Sequence, residues 1–230
     1  MKMKVAILGY GRSGKAAEAL ALAQGDKVTV LADDALDSLT DRYDSAIVSP
    51  GVALTHPWVV AAKKLGIPLK SELQFGCEEL KRRGWKLLAV TGSKGKSSVV
   101  KLVADAINLA GGYAVPCGNF GTPVSAVALS APTYLSPWAV VEVSSFMMET
   151  TDLPRDTFEA VTILNLQADH LDRHGSIEVY HALKRKLLTM AKTAVDGSVV
   201  RDAAAVKEGD VLMTRLASGS VRSSVLKANF

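Results

Sequence analysis

Residues 91–98 read Thr-Gly-Ser-Lys-Gly-Lys-Ser-Ser, and their types and order suit the binding of a triphosphate. Gly95, Lys96 and Ser97 supply backbone amides left open by glycine, an ammonium for the β- and γ-oxygens, and a hydroxyl for Mg²⁺. The glycine that opens a standard P-loop five places before Gly95 is replaced by Val90, and Gly92 begins a shorter loop. The competing reading is a chance Gly-Lys-Ser in a lysine-rich turn. A strand-like run precedes the loop and a helix-like run follows it, which is where phosphate binds, so ATP is expected here.

A second glycine run, Gly9-Tyr-Gly11-Arg-Ser13-Gly14, also lies between a strand-like and a helix-like segment. Such glycines let a backbone approach a pyrophosphate at a helix N-terminus, and Asp33 and Asp34, about twenty residues on, fall where a ribose-binding acid sits. Taken alone the run suggests a dinucleotide and an NAD-linked oxidoreductase. The plainer reading is that the glycines only permit close helix–strand packing.

Three further places could carry chemistry. Glu142 ends the apolar run WAVVEV (138–143), a position suited to a magnesium ligand or to a solvated strand end. Residues 165–175, NLQADHLDRHG, gather acids, imidazoles and an amide after the run AVTILNL, where ligands bind in parallel sheets. Lys184 follows Tyr180 by one helical turn, and by itself reads as a surface lysine.

The elements that must position these residues alternate. Strands are expected at 4–8, 27–31, 45–49, 67–70, 86–90, 113–116, 138–143, 160–166 and 194–200, and helices at 12–24, 57–65, 96–110, 123–130 and 177–192. Short apolar strands alternating with helices imply βαβ units and parallel sheets. The stretch 81–84 (KRRG) marks the expected boundary between two sets of such units. From about residue 201 the pattern changes to short strands with Gly and Ser, so the polypeptide is expected to be truncated or split.

Composition narrows the class. The chain has 230 residues, 48% apolar and 22% charged, and no apolar run reaches the roughly 20 residues of a membrane-spanning helix. The apolar run before Gly9 is only Val5–Leu8, too short for a signal-peptide core, so a cytoplasmic protein is expected. Cys77 and Cys117 form no CxxC pair and read as reduced thiols. The net charge of +4 is spread along the chain with only 6% aromatics, which argues against a nucleic-acid partner.

Together these segments resemble the Mur ligases, ATP-dependent amide ligases of peptidoglycan synthesis, and within them the members that add D-glutamate. The resemblance runs from about residue 4 to about residue 200. It rests on GYGRSG (9–14), VSPGVALTHP (48–57), TGSKGKSS (91–98), GNFGTP (118–123), EVSSF (142–146), ILNLQADHLDRHGS (163–176) and YHALK (180–184).

The resemblance implies an α/β fold. A Rossmann-like parallel-sheet domain over 1–84 would bind a UDP-linked substrate. A P-loop-type central ATPase domain over 85–230, incomplete at its C-terminus, would follow, with the family's C-terminal ligase domain absent.

It also implies roles. Gly92, Ser93, Lys94, Gly95, Lys96, Ser97 and Ser98 would hold ATP. Ser97 and Glu142 would hold one Mg²⁺, and His170 and a carbamate formed from CO₂ on Lys184 a second; Lys96, His170 and Lys184 would be catalytic. Gly11, Ser13, Ser49, Pro50 and Gly51 would line the UDP site, with Asn119, Ser144 and Asn165 near the muramoyl and phosphate groups. The implied substrates are UDP-N-acetylmuramoyl-L-alanine and D-glutamate, joined through an acyl phosphate, with a separate chain as one source of the C-terminal domain. The alternative is a binding remnant that does not ligate. Departures from the pattern are Ser93-Lys94 for Thr-Asn, Met147-Met148 for Gln-Leu, and no arginine after Asp33 and Asp34.

Overall fold

The computed structural model describes residues 2–32, 39, 42–130, 134–195, 207–215 and 220–224. Two compact units divide the chain, Met1–Asp196 and Gly197–Phe230. In the second, β10 (Val211–Arg215) and β11 (Ser220–Ser224) pair antiparallel.

The first unit holds two sheets, both entirely parallel. One contains β1 (Lys4–Leu8), β2 (Lys27–Leu31), β3 (Ser45–Val48) and β4 (Leu69–Ser71) in the order β2-β1-β3-β4. The other contains β5 (Lys86–Thr91), β6 (Ala114–Gly118), β7 (Trp138–Glu142), β8 (Phe158–Ile163) and β9 (Ala191–Val195) in the order β6-β7-β5-β8-β9. The inner strands β1, β3 and β7 are apolar along most of their length because both faces are covered; β2, at a sheet edge, alternates instead.

Helices α1 (Arg12–Ala23), α2 (Pro57–Lys64), α4 (Lys96–Leu109) and α5 (Val124–Leu129) lie within a few residues of their expected positions. Three helices are additional: α3 (Glu72–Arg82), α6 (Ser145–Met148) and α7 (Leu171–His174). Ser71 caps α3 by accepting from the Gln74 N–H at 2.9 Å, and Lys81 and Arg82 occupy its last turn. The expected boundary stretch therefore begins inside this helix. α3 packs on α5 and α1, and Leu20, Leu73, Cys77, Leu80, Val124 and Val141 share one buried apolar cluster, so α1 joins the core under the second sheet.

The helix expected over 177–192 is shorter. α8 (Ile177–Lys186) gives way to a 3₁₀ turn, Leu187–Met190, and Ala191 already pairs with Phe158 in β9. The tighter turn lets both Leu187 and Met190 enter the core while the chain turns into the sheet. Both cysteines are free and buried. Among the described residues no helix is long and apolar enough to cross a membrane.

Candidate functional site

In the first sheet the chain runs to opposite sides of β1, so a crevice opens beyond the carboxyl ends of β1 and β3. A cavity of about 410 Å³ lies there. Gly11, Ser13, Ser49, Pro50, Gly51 and Asn119 line it, all of them expected around the UDP-linked substrate. Ser49 Oγ donates to the Gly9 carbonyl at 2.8 Å and fixes the two loops together. Gly14 packs so closely that a Cβ would stand 2.0 Å from the Gly9 oxygen, so this glycine serves helix–strand packing. Arg12, in the first turn of α1, also lines the cavity and was not singled out from the sequence; its signal was its place inside the glycine run. Its guanidinium has no hydrogen-bond or ion-pair partner among the described residues. Asp33 and Asp34 lie outside the described residues.

The second site begins where β5 ends. Gly95, left-handed at φ 82°, leads into α4, and Lys96 and Ser97 are the first residues of that helix. Lys96 Nζ lies back over the loop, 3.1 Å from the Ser93 carbonyl. Ser97 Oγ donates to Glu142 Oε2 at 2.7 Å, and Asn119 Nδ2 donates to Glu142 Oε1 at 2.8 Å. Glu142 is only 2% exposed. A hydroxyl and a carboxylate at the mouth of a phosphate loop are hard oxygen donors of the kind Mg²⁺ takes. No group of three or more His, Cys, Asp or Glu side chains among the described residues forms a ready metal cage.

Two residues expected near the muramoyl and phosphate groups hold backbone groups of their surroundings. Asn165 holds the phosphate loop, accepting from the N–H groups of Ser93 and Lys94 at 3.1 and 2.9 Å. Ser144 caps α6, accepting from the Met147 N–H at 3.3 Å. Of the remaining loop residues, Ser93 is buried, its hydroxyl 3.0 Å from that of Tyr180, while Lys94 and Ser98 are exposed.

Lys184 is not a surface lysine. It is 2% exposed, and Nζ donates to the Gly92 carbonyl at 3.0 Å. Burial, reinforced by the nearby Lys96 charge, pulls its pKa down to about 8. The ammonium lies 4.7 Å from the Tyr180 ring centroid, and the His170 ring stands 6.2 Å from the same ring. His170, half-exposed, has its Nε2 3.6 Å from Asp169 Oδ2. The adjacent His174 is buried, its Nε2 3.0 Å from Ser145 Oγ, and desolvation lowers its pKa.

The Mur ligase middle-domain profile matches residues 90–210, more than half of the chain. The chain belongs to the Mur ligase family.

Curated Mur ligases resemble it over both sheets. A UDP-N-acetylmuramoylalanine–D-glutamate ligase of Acidobacterium capsulatum is 34% identical over 220 residues, covering 86% of this chain and 46% of the relative. One from Gloeobacter violaceus is 35% identical over 215 residues, covering 83% and 47%. The chain thus spans about half the length of the curated relatives it matches. Among solved structures, a UDP-N-acetylmuramate:L-alanyl-γ-D-glutamyl-meso-diaminopimelate ligase from Neisseria meningitides superposes with a TM-score of 0.55 at 18% identity, over 99% of this chain and 86% of that one. That likeness supports the fold.

Tyr180, Arg173 and Glu149 were not singled out as site residues. Tyr180 and Arg173 lie inside the motif strings, but their contacts reach partners far away in sequence.

Proposed function

We propose that this Mur ligase chain binds UDP-N-acetylmuramoyl-L-alanine and ATP for an amide ligase that adds D-glutamate through an acyl phosphate. The observation that carries the reading is the double role of Asn119. It lines the cavity beyond β1 and β3, and its amide also holds Glu142, the acid bonded to Ser97 of the phosphate loop. A substrate seated in the cavity thereby has its reacting end beside the loop that takes the triphosphate.

The chemistry joins two anions, a carboxylate and a phosphate. Lys96, freed from the Ser93 carbonyl, would hold the transferring phosphoryl oxygens. Magnesium, when bound, supplies further neutralisation of the charge that spreads over those oxygens. Ser97, Glu142 and His170 are its proposed ligands. Lys184 is suited to carbamylation, since CO₂ adds to an unprotonated amine and a pKa of about 8 leaves roughly one amine in ten unprotonated at pH 7. The resulting carbamate replaces a buried cation with an anionic oxygen ligand.

The test mixes the chain with ATP, Mg²⁺, UDP-N-acetylmuramoyl-L-alanine and D-glutamate and follows phosphate release. Turnover that depends on all four supports the ligase. Binding of the nucleotide sugar and ATP without turnover supports a binding role. A response to NADH with none to ATP would overturn both.

A further inference from the structure

Arg173 bridges parts of the chain that the two proposed ligands would occupy. Its Nε and Nη2 donate to Glu149 Oε1 and Oε2 at 3.0 and 2.7 Å. Nη2 also reaches the carbonyls of Val52 at 2.9 Å and Pro50 at 3.5 Å. The carboxylate is 7% exposed and the arginine side chain 16%, so the pair is shielded from solvent. Pro50 and Val52 line the cavity.

On its other side, Arg173 is tied to the turn that carries His170. The Arg173 N–H donates to the His170 carbonyl at 3.2 Å. The Phe146 ring lies 4.9 Å from the guanidinium and 4.9 Å from the His170 ring, in reach of both. A shift of the 50–52 turn therefore pulls on the side chain of the residue whose own N–H holds the His170 carbonyl. A bidentate charged pair resists bending in a way that a single-point ammonium does not.

We propose that Arg173 is a positioning residue that couples occupancy of the cavity to placement of the 169–175 turn, so that each ligand binds more tightly when the other is present. The identity of the ligands rests on the function proposed above; the strap itself does not. Such coupling is reciprocal between the two ligands.

The test titrates the 230-residue chain with UDP-N-acetylmuramoyl-L-alanine and with Mg²⁺ and a non-hydrolysable ATP analogue, each alone and with the other saturating. The unmodified chain should show coupling of about tenfold in both directions. Arg173→Met should bring it below about twofold, with each single-ligand Kd changed by less than about threefold. Arg173→Lys should fall between. A brace with only a structural role would lower the Tm and leave the coupling intact, which overturns the proposal, as does an absence of coupling in the unmodified chain. If Arg173→Met does not fold, Arg173→Lys decides: reduced coupling sustains the strap and unchanged coupling ends it.

If the ATP analogue binds and the nucleotide sugar does not, the substrate reading fails and amide hydrogen exchange judges the strap. The analogue should then slow exchange over residues 49–56 in the unmodified chain and not in Arg173→Met. Equal slowing in both, or none in the unmodified chain, overturns it.

Discussion

The side-chain amide of Asn165 closes a ring with the Lys94 peptide: Oδ1 accepts from the Lys94 N–H at 2.9 Å and Nδ2 donates to the Lys94 carbonyl at 3.0 Å. A second N–H, that of Ser93, shares the same oxygen. The loop shape that presents Gly95 and Lys96 is thus held from the end of β8. Asn165→Ala should weaken ATP affinity about tenfold and lower stability by about 1–3 kcal/mol, since it strips the Lys94 N–H and carbonyl of their partner, while the Ser93 N–H keeps the Asn165 main-chain carbonyl at 3.0 Å. Fluorescent-nucleotide titration and urea unfolding read the two effects; unaltered affinity would mean the loop keeps its shape unaided.

Ser97 and Glu142 should matter to the metal more than to the nucleotide. Removing the Ser97 hydroxyl or neutralising the acid (Ser97→Ala, Glu142→Gln) is expected to reduce the Mg²⁺-dependent part of ATP binding by about tenfold. Binding measured in EDTA should change much less. Equal losses with and without Mg²⁺ would assign the pair to loop packing.

Lys184 makes two measurable predictions. The unfolded chain holds this proton up to the ordinary value of 10.5 and the folded chain only to about 8. Between those values the unfolded state binds more protons, so this group makes stability rise with pH across that window. Lys184→Met should flatten that rise in unfolding measured at successive pH values. With ¹³C-bicarbonate, a carbamate carbonyl signal should appear in NMR, grow from pH 7 to 9, and vanish in Lys184→Ala. Its absence from the unmodified chain would remove the carbamate from the mechanism.

Glu79 should govern part of the acid sensitivity. Its side chain is 2% exposed, and Arg82 donates to it at 2.6 and 2.7 Å. The Arg82 hydrogen bond leads the effects, joined by Arg83, that hold its pKa down at about 2. The stabilisation is present above the unfolded value of 4.5 and is lost as pH falls toward about 2. Glu79→Gln should cost about 1–3 kcal/mol at pH 7 and remove that slope in acid unfolding. An unchanged acid profile would show that Glu79 contributes nothing there.

The missed helix α3 shows why part of the fold could not be read from local pattern. Three of its buried residues, Glu72, Gln74 and Glu79, are polar and blur the apolar stripe. Their partners come largely from a distance: Glu72 accepts through Oε1 from the Ser125 N–H while its Oε2 stays unpartnered, Gln74 accepts from the Asp152 N–H, and Glu79 accepts from Gln24 as well as from its neighbouring arginines. Burial of such groups is tolerable only with those partners in place. The strands carry no such ambiguity, because apolar β-branched runs bounded by glycine suit few other environments.

By itself the sequence determined the phosphate loop and the glycine turn after β1, since their backbone shapes depend on residues within a few positions of one another. It could not determine that Asn119, Ser97 and Glu142 meet, that Arg173 reaches Val52, or that Lys184 is sealed beneath Gly92. Those relationships exist only once the parallel strands are side by side. The resulting burial, together with the nearby Lys96 charge, is what turns an ordinary lysine into one that gives up its proton near pH 8.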